Sequence, residues 1–275
     1  MYLESLSLKV DTQKCNLCSA CIRECVNGVL TKDAQGNIAI TPGGEDRCIH
    51  CAHCMMVCPA AALSIDGLDP EKDFEPALRG PEFSKLLNQV KSRRSIRHFK
   101  QRNVEEDVMA DLMDALRYPP TGVNYRNLQF SVISDCDVMA QYREKLYARY
   151  FDRFAGQPDT KEVCAAWKNA LANGGDPVFR TAPHMILVNY DENAPCGFAD
   201  SVIALSYFEM LANAAGVGTV WFGRLIFLFN QMPELMDMFA IPEGYKPGYA
   251  MLFGYGNNLF RRTIKRPVPT ITELK

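Results

Sequence analysis

The feature that most constrains this chain is a group of eight cysteines that forms one pattern used twice. Each run has the spacing C-x2-C-x2-C-x3-C, and the second run repeats the first after a shift of 33 residues. The eight positions are Cys15, Cys18, Cys21, Cys25, Cys48, Cys51, Cys54 and Cys58. Three thiols separated by two residues each surround one side of a metal group, while the fourth leaves that loop. The pattern therefore predicts two metal centres in the N-terminal third of the chain.

The same spacing is that of bacterial two-cluster ferredoxins, in which the fourth cysteine of each run ligates the other cluster. We assign one [4Fe–4S] cluster to Cys15, Cys18, Cys21 and Cys58, and the other to Cys48, Cys51, Cys54 and Cys25. Zinc or disulfides are the alternative, but zinc prefers two cysteine pairs with a longer spacer. Pro59 follows the second run as in ferredoxins, whereas Val26 follows the first. His50 and His53 lie inside the second run, either solvated or hydrogen-bonded to cluster sulfur.

Composition and charge narrow the class of protein. The chain has 275 residues and a net charge of −2, which argues against a nucleic-acid-binding protein. No apolar run reaches the ~18 residues of a membrane span, and the N-terminus lacks the apolar region of a signal peptide. The clustered cysteines then favour metal binding in a reducing compartment over disulfides. The expected location is the cytoplasm.

The pattern along the chain predicts two domains and a linker. Residues 1–66 hold the repeat and few other apolar residues, so the clusters would replace part of a core. Residues 67–82 are polar and rich in Pro and Gly, as linkers are. In residues 83–275, helical and strand-like patterns alternate, which indicates an α/β domain.

Within the second domain, periodicity and caps predict individual elements. Asn103 with Glu106 resembles a capping box, and Asp137 and Thr160 are candidate caps for two further helices. An almost entirely apolar helix is predicted over 200–215. Strands are predicted at 129–134, 185–190 and 249–253.

Three segments contain residues that could bind a cofactor or another ligand. The run RRSIRHF (93–99) has guanidinium and hydroxyl groups that can bind a phosphate, although a solvated basic surface is the alternative. The segment PPTGVN (119–124) contains a glycine that allows a ligand to approach the backbone closely and an asparagine that can donate and accept hydrogen bonds. The alternative is that this segment is only a turn. The segment GVGTVWFG (216–223) is not G-x-G-x-x-G, so no Rossmann domain is predicted.

Taken in order, these segments resemble the nitroreductase family of FMN-dependent flavoproteins. The resemblance runs from Phe83 to about Pro269 and rests on RRSIRHF, PTGVN, the pair Ala182-Pro183, GVGTVWFG and the tail FGYGNNLFRRTIKRP. With the N-terminal clusters, the whole chain resembles a ferredoxin-fused branch of that family. The implied fold is α+β: a small ferredoxin-type domain followed by a mixed-sheet FMN domain, in an intertwined homodimer with FMN at the subunit interface.

The resemblance also implies roles for residues at matching positions. The positions near the FMN phosphate and ribityl chain are Arg93, Arg94, Ser95, Arg262 and Arg266. Arg97 matches a basic position near N1 and the C2 oxygen of the flavin, where reduction places negative charge. The loop that would reach the flavin from the partner subunit holds Pro120, Thr121, Gly122 and Asn124. The segment near flavin N5 holds Trp221, Phe222 and Gly223.

The implied activity is that of an FMN-dependent oxidoreductase of nitroreductase type. Electrons would pass between the clusters and FMN to a nitroaromatic, quinone or activated alkene, with NAD(P)H or a ferredoxin as donor. No catalytic acid is predicted; protons could come from water, Tyr125 or His98. The family often has Asn-x-Gln-Pro-Trp where this chain has Arg126-Asn127-Leu128, which affects the substrate pocket most. A non-enzymatic electron carrier with a docking domain is the alternative.

Overall fold

The protein divides into two compact units in a computed structural model that describes residues 6–274. One unit comprises residues up to 80 together with 123–126, and the other comprises 81–122 and the residues from 127 onward. No helix within 6–274 is both long enough and apolar enough to cross a membrane.

The N-terminal unit is built from two short antiparallel strand pairs and two one-turn helices. Its elements are β1 (Leu8–Val10), α1 (Ala20–Glu24), β2 (Leu30–Lys32), β3 (Ile38–Ile40), α2 (His53–Met56) and β4 (Leu63–Ile65). β1 pairs with β4, and β2 pairs with β3. The buried apolar side chains form one small cluster that includes Val29, Leu30, Leu63 and Ile65, with Cys21 among them. A core this small fits the expectation that bound clusters contribute to stability.

The C-terminal unit is a four-stranded sheet with helices on both faces. Its helices are α3 (Phe83–Ser92), α4 (Glu106–Asp114), α5 (Cys136–Phe154), α6 (Lys161–Ala172), α7 (Gly197–Ala214) and α8 (Gly223–Gln231). Its strands are β5 (Leu128–Ile133), β6 (His184–Asp191), β7 (Gly218–Trp221) and β8 (Tyr245–Gly254). The strand order is β5-β6-β8-β7, and all three strand pairs are antiparallel. Within residues 6–274, one isolated parallel bridge joins Ser95 to Thr219.

The central strand β6 is buried on both faces, which gives the unit two cores. Met185 and Leu187 lie in the core shared with α5, α6 and α8, while Ile186 and Val188 lie in the core shared with α4 and α7. Alternate residues of a strand point to opposite faces, so consecutive apolar residues fill both layers. The α+β class predicted from the sequence is confirmed.

Some predicted element boundaries were wrong. Asn103 caps no helix; α4 begins after Glu105, and Asn103 instead accepts from the Cys136 backbone N–H at 2.8 Å. The N-terminal cap of α5 is Asp135, not Asp137 as predicted. The Asp135 side chain accepts hydrogen bonds from the backbone N–H groups of Asp137 and Val138. The strands predicted at 185–190 and 249–253 are longer, because pairing continues beyond their apolar residues.

Candidate cofactor sites

The two cysteine loops repeat in backbone conformation as well as in sequence. Left-handed φ angles occur at Leu17 (56°), Ser19 (61°) and Gly28 (60°). They recur 33 residues later at His50 (51°), Ala52 (57°) and Ala61 (47°). Left-handed conformations are unfavourable for residues other than glycine, so this match over three pairs shows that the two loops share an uncommon backbone conformation.

Four cysteines surround one pocket in the N-terminal unit. The pocket is lined by Cys15, Cys18, Cys21 and Cys58, with Ile38 and Leu63 closing its apolar side. These are the four residues assigned to one cluster from the spacing. Burial raises the pKa of the Cys21 thiol, and the nearby Cys58 and Cys15 thiols raise it further. This donor set, four sulfurs in a largely apolar enclosure, fits a [4Fe–4S] cluster.

The other four cysteines also lie near one another. Burial is the main cause that raises the pKa of the Cys48 thiol, and Cys51 and Cys25 are among the groups that raise it further. Burial likewise raises the pKa of Cys54 to about 11, with Cys51 and Cys48 adding to the effect. Within residues 6–274, no three Cys, His, Asp or Glu side chains are arranged to hold a single metal ion. A cubane separates its ligands more widely than one ion does, so the arrangement remains compatible with clusters.

Backbone N–H groups point at the thiols that leave each loop. The Val29 N–H donates to Cys25 Sγ at 3.4 Å, and the Ala62 N–H donates to Cys58 Sγ at 3.3 Å. Hydrogen bonds to cluster sulfur are one of the means by which proteins set reduction potentials. The His50 ring, considered from the sequence as a donor to sulfur, instead contacts Asp66 Oδ2 at 2.5 Å.

The arginine-rich segment 93–97 lies beside β7 in the C-terminal unit. Ile96 donates its N–H to the Thr219 carbonyl at 2.8 Å, and Ser95 forms the parallel bridge to the same residue. Gly218 makes this possible, because a Cβ there would lie 2.3 Å from Ile96 Cγ1. A cavity of about 150 Å³ follows the segment, lined by Ser95, Ile96, Arg97, His98, Asn258 and Phe260. Four residues of the segment predicted to bind phosphate, from Ser95 to His98, therefore line a cavity, whereas Arg93 and Arg94 do not.

A buried carboxylate holds the first arginine of the motif. Glu209 on α7 is 7 % exposed and accepts from Arg93 Nη1 at 3.0 Å. The same carboxylate accepts from Thr219 Oγ1 at 3.0 Å and from Trp221 Nε1 at 3.2 Å. Glu209 thus joins the arginine segment to the segment predicted near flavin N5, and it neutralises the charge of Arg93.

The remaining basic residues predicted at the phosphate lie on or near the C-terminal tail. Arg94 Nη2 donates to Thr263 Oγ1 at 2.9 Å, and that hydroxyl donates to the Lys91 carbonyl at 2.7 Å. Arg262 and Arg266 lie on the exposed tail beyond β8. The tail is thereby fixed to the arginine segment at one point, which brings the two basic regions together.

The predicted loop at 120–124 is divided between the two units. Pro120 and Thr121 belong to the C-terminal unit, as does Gly122, whose N–H donates to Asp200 Oδ1 at 2.9 Å. A Cβ on Gly122 would lie 2.7 Å from Cys196, so this glycine permits a close approach within the protein itself. Asn124 belongs to the N-terminal unit, where its Nδ2 donates to the Ile49 carbonyl at 2.9 Å.

The segment predicted near N5 forms one wall of a larger cavity. Trp221, Phe222 and Gly223 line a space of about 500 Å³ together with Pro177, Val178, Arg180, Val220, Arg224, Phe227 and Leu252. The Trp221 ring also packs edge-on against the Tyr249 ring, with 5.5 Å between the ring centroids. This volume lies within the range of sites that bind small molecules.

Sequence reasoning did not identify Glu209 or Arg180 as site residues. Glu209 could have been found, because it is an acidic residue in the middle of a mostly apolar helix. Arg180 has no comparable signal, since its place at the cavity depends on the conformation of a loop.

Comparison with known proteins gives two matches to family models. The model described as the nitroreductase family matches residues 90–255, which is more than half of the chain. The model of a 4Fe-4S dicluster domain matches residues 14–73.

Individual relatives are distant. A Methanothermobacter thermautotrophicus protein named as an NADH dehydrogenase/NAD(P)H nitroreductase is 27 % identical over 62 % of this chain and 76 % of its own length. An iodotyrosine deiodinase from Thermotoga neapolitana is 24 % identical over 60 % of this chain and 92 % of its own. The crystal structure of a Bacteroides fragilis nitroreductase with bound FMN aligns with a TM-score of 0.54 and 20 % identity, over 69 % of this chain and 99 % of that one. At that identity the alignment shows a shared fold. The chain therefore belongs to the nitroreductase family, and it carries a 4Fe-4S dicluster domain at its N-terminus.

Proposed function

We propose that this protein passes electrons between two [4Fe–4S] clusters and FMN and thereby reduces a small acceptor. The chain is a nitroreductase-family FMN oxidoreductase with a 4Fe-4S domain. The proposed acceptors are a nitroaromatic, a quinone or an activated alkene. One observation carries the proposal: four cysteines surround one pocket in a chain whose second unit belongs to a flavoenzyme family.

The chemistry would come from the cofactors, because FMN when bound exchanges electrons either singly or in pairs. The protein would hold the clusters through the two sets of four cysteines assigned above. Cys58 would belong with Cys15, Cys18 and Cys21, as the shared pocket supports. Cys25 would belong with the second set, and its proximity to Cys48 supports this.

The C-terminal unit would hold FMN along the arginine segment and β7. Arg94, Arg97 and the tail arginines would supply positive charge for the phosphate, since Glu209 offsets the charge of Arg93. Arg97 lines the smaller cavity and Trp221 the larger one, so a flavin in contact with both would lie between them. The proposed complex is a homodimer, with Pro120, Thr121, Gly122 and Asn124 near the flavin of the partner subunit.

The donor is proposed to be NAD(P)H or a reduced ferredoxin. The name of the Methanothermobacter relative mentions NADH and NAD(P)H, which supports testing both nicotinamides. The dicluster domain supports testing a one-electron carrier, because a cluster accepts one electron at a time. The assay therefore compares NADH, NADPH and reduced ferredoxin as donors.

The alternative from another class is a non-enzymatic electron carrier with a docking domain. The cavity of about 500 Å³ beside the WFG segment argues for an enzyme, because a carrier needs no site of this size for a small molecule. An anaerobic stopped-flow experiment separates the two. An enzyme reoxidises its reduced flavin much faster with acceptor present than in buffer alone, whereas a carrier shows no difference.

The decisive test is the cofactor content of anaerobically purified protein. We expect about eight irons, about eight sulfides and one FMN per chain, with EPR signals of reduced [4Fe–4S] clusters. Cys58→Ser should lower the iron content towards four, whereas Cys164→Ser, a buried cysteine outside both runs, should leave it unchanged. Two zinc ions per chain, or protein that takes up no FMN, would contradict the proposal.

A further inference from the structure

Glu209 contacts both of the segments along which FMN is proposed to lie. Its carboxylate accepts from Arg93 Nη1 in the arginine segment at 3.0 Å and from Trp221 Nε1 in the WFG segment at 3.2 Å. Trp221 lines the larger cavity, so the carboxylate touches a side chain that faces the proposed flavin position. Because Glu209 is buried, its charge acts through protein and is weakly screened by water.

The packing of α3 against α7 places Arg93 beside this carboxylate. Gln89 Nε2 on α3 donates to the carbonyl of Met210, the residue that follows Glu209 on α7, at 2.5 Å. The Gln89 carbonyl accepts from the Arg93 backbone N–H at 2.9 Å. Gln89 therefore joins the end of α3 to α7 at the position of the ion pair, and Arg93 is held opposite Glu209 by more than its own side chain.

Strand β7 fixes the carboxylate from the other side. Thr219 and Trp221 are two residues apart on the strand, so their side chains point to the same face, and both donate to Glu209. The Thr219 carbonyl in turn accepts from the Ile96 N–H at 2.8 Å. A buried carboxylate with three donors has a well-defined position, because loss of any donor would leave it partly unsatisfied.

The charge of Glu209 balances that of Arg93. The two form an ion pair, so together they bring no net charge to the flavin site. Two-electron reduction of a flavin with uptake of one proton leaves one negative charge on the ring. An unbalanced positive charge nearby would therefore favour the reduced flavin, and an unbalanced negative charge would favour the oxidised one.

We propose that Glu209 is a positioning residue that keeps the reduction potential of the bound flavin low by neutralising Arg93. A flavin of low potential can pass its electrons to acceptors that are difficult to reduce. The inference rests on the proposed flavin function, and it adds the residue that sets the driving force of the electron transfer.

The test measures the midpoint potential of the flavin in the FMN-loaded protein. Dithionite supplies the electrons under anaerobic conditions, and a dye of known potential serves as the reference. We expect Glu209→Gln to shift the ratio of reduced to oxidised flavin about tenfold towards the reduced form, which is about 30 mV for a two-electron couple. The clusters, followed by EPR in the same titration, should keep their potentials, because all eight proposed cysteine ligands belong to the N-terminal unit.

The sign of the shift separates charge from structural damage. Arg93→Gln leaves Glu209 unbalanced and should shift the ratio towards the oxidised flavin. The double variant Arg93→Gln/Glu209→Gln removes both charges and should return the ratio to within about twofold of the wild-type value. Glu209→Asp retains the carboxylate and should shift it less than about threefold. Glu162→Gln, at an exposed position on α6, is the matched control and should leave it unchanged.

The outcomes distinguish this inference from the proposed function. Opposite shifts in the two single variants support the inference, and unchanged potentials or shifts of the same sign overturn it, even where both variants lose stability. If Glu209→Gln yields no folded protein, Arg93→Gln and the double variant provide the same comparison. Wild-type protein that binds no FMN would refute the proposed function instead.

Discussion

The Glu209 network allows a stability prediction worked from its contacts. Glu209→Gln preserves the size of the side chain but removes its charge. The carboxylate accepts three hydrogen bonds, from Arg93, Thr219 and Trp221. An amide offers one oxygen, so at least one donor loses its acceptor and Arg93 loses its counter-charge.

The expected loss follows from burial. A hydrogen bond to a charged group contributes about 1.5–3 kcal/mol. Breaking a fully buried ion pair costs about 3–5 kcal/mol, but the Arg93 side chain is 30 % exposed and water can partly replace the lost partner. We therefore expect Glu209→Gln to destabilise the C-terminal unit by about 2–3 kcal/mol.

The assay is equilibrium unfolding in urea followed by tryptophan fluorescence. Both tryptophans, Trp167 and Trp221, belong to the C-terminal unit, so the signal reports on that unit alone. With an m-value of about 2–3 kcal/mol/M, the midpoint should fall by about 1 M. Glu243→Gln, at an exposed turn position, is the control and should shift it by less than ~0.2 M. An unchanged midpoint in Glu209→Gln would show that the network does not stabilise the fold, whatever its geometry.

Three further predictions concern the C-terminal unit. Gly218→Ala would place a methyl group 2.3 Å from Ile96 Cγ1, so it should displace the arginine segment and lower FMN content per chain; Gly156→Ala, with open space around it, should not. Burial lowers the pKa of His184 to about 4, so the folded state does not bind a proton that the unfolded state binds below about pH 6.5. Stability should then fall by up to about 3 kcal/mol between pH 6.5 and 4, and His184→Gln should flatten this dependence in urea titrations. Tyr147→Phe removes two hydrogen bonds of a buried hydroxyl and should lower the urea midpoint by the equivalent of about 1–3 kcal/mol.

Much of the fold could be predicted because the local sequence of several helices and strands has the hydrophobic pattern and the length typical of that element. The helix predicted over 200–215 is observed as α7, since an apolar run that ends at Gly216 has few alternatives. The strands near 129–134 and 185–190 are observed within one residue at each end. These segments have the length and periodicity of their element, so tertiary contacts did not need to decide their conformation.

Other elements were missed because their conformation depends on the rest of the fold. The segment 216–223 gave no strand signal, yet Gly218–Trp221 forms β7 because β8 lies beside it. No helix was predicted at Gly223–Gln231, although these residues form α8. Asn103 had the sequence of a helix cap, but its side chain contacts Asp135 and Cys136 instead.

The candidate sites were predictable to different degrees. The proposed cysteine ligands could be assigned from their spacing, because short intervals between cysteines place their thiols around one group. The arginine segment was located by its residue types, whereas the opposing Glu209 lies 116 residues away in sequence. A contact between residues so far apart in the chain follows from the tertiary fold, and a single sequence does not contain it.

The matching torsion angles of the two cysteine loops have a consequence for protein engineering. Leu17 corresponds to His50, Ser19 to Ala52 and Gly28 to Ala61, so three positions share a conformation although no pair shares a residue type. Side-chain identity therefore does not set these angles. Residues could therefore be exchanged between the two loops at these positions, provided that the left-handed backbone conformation is kept.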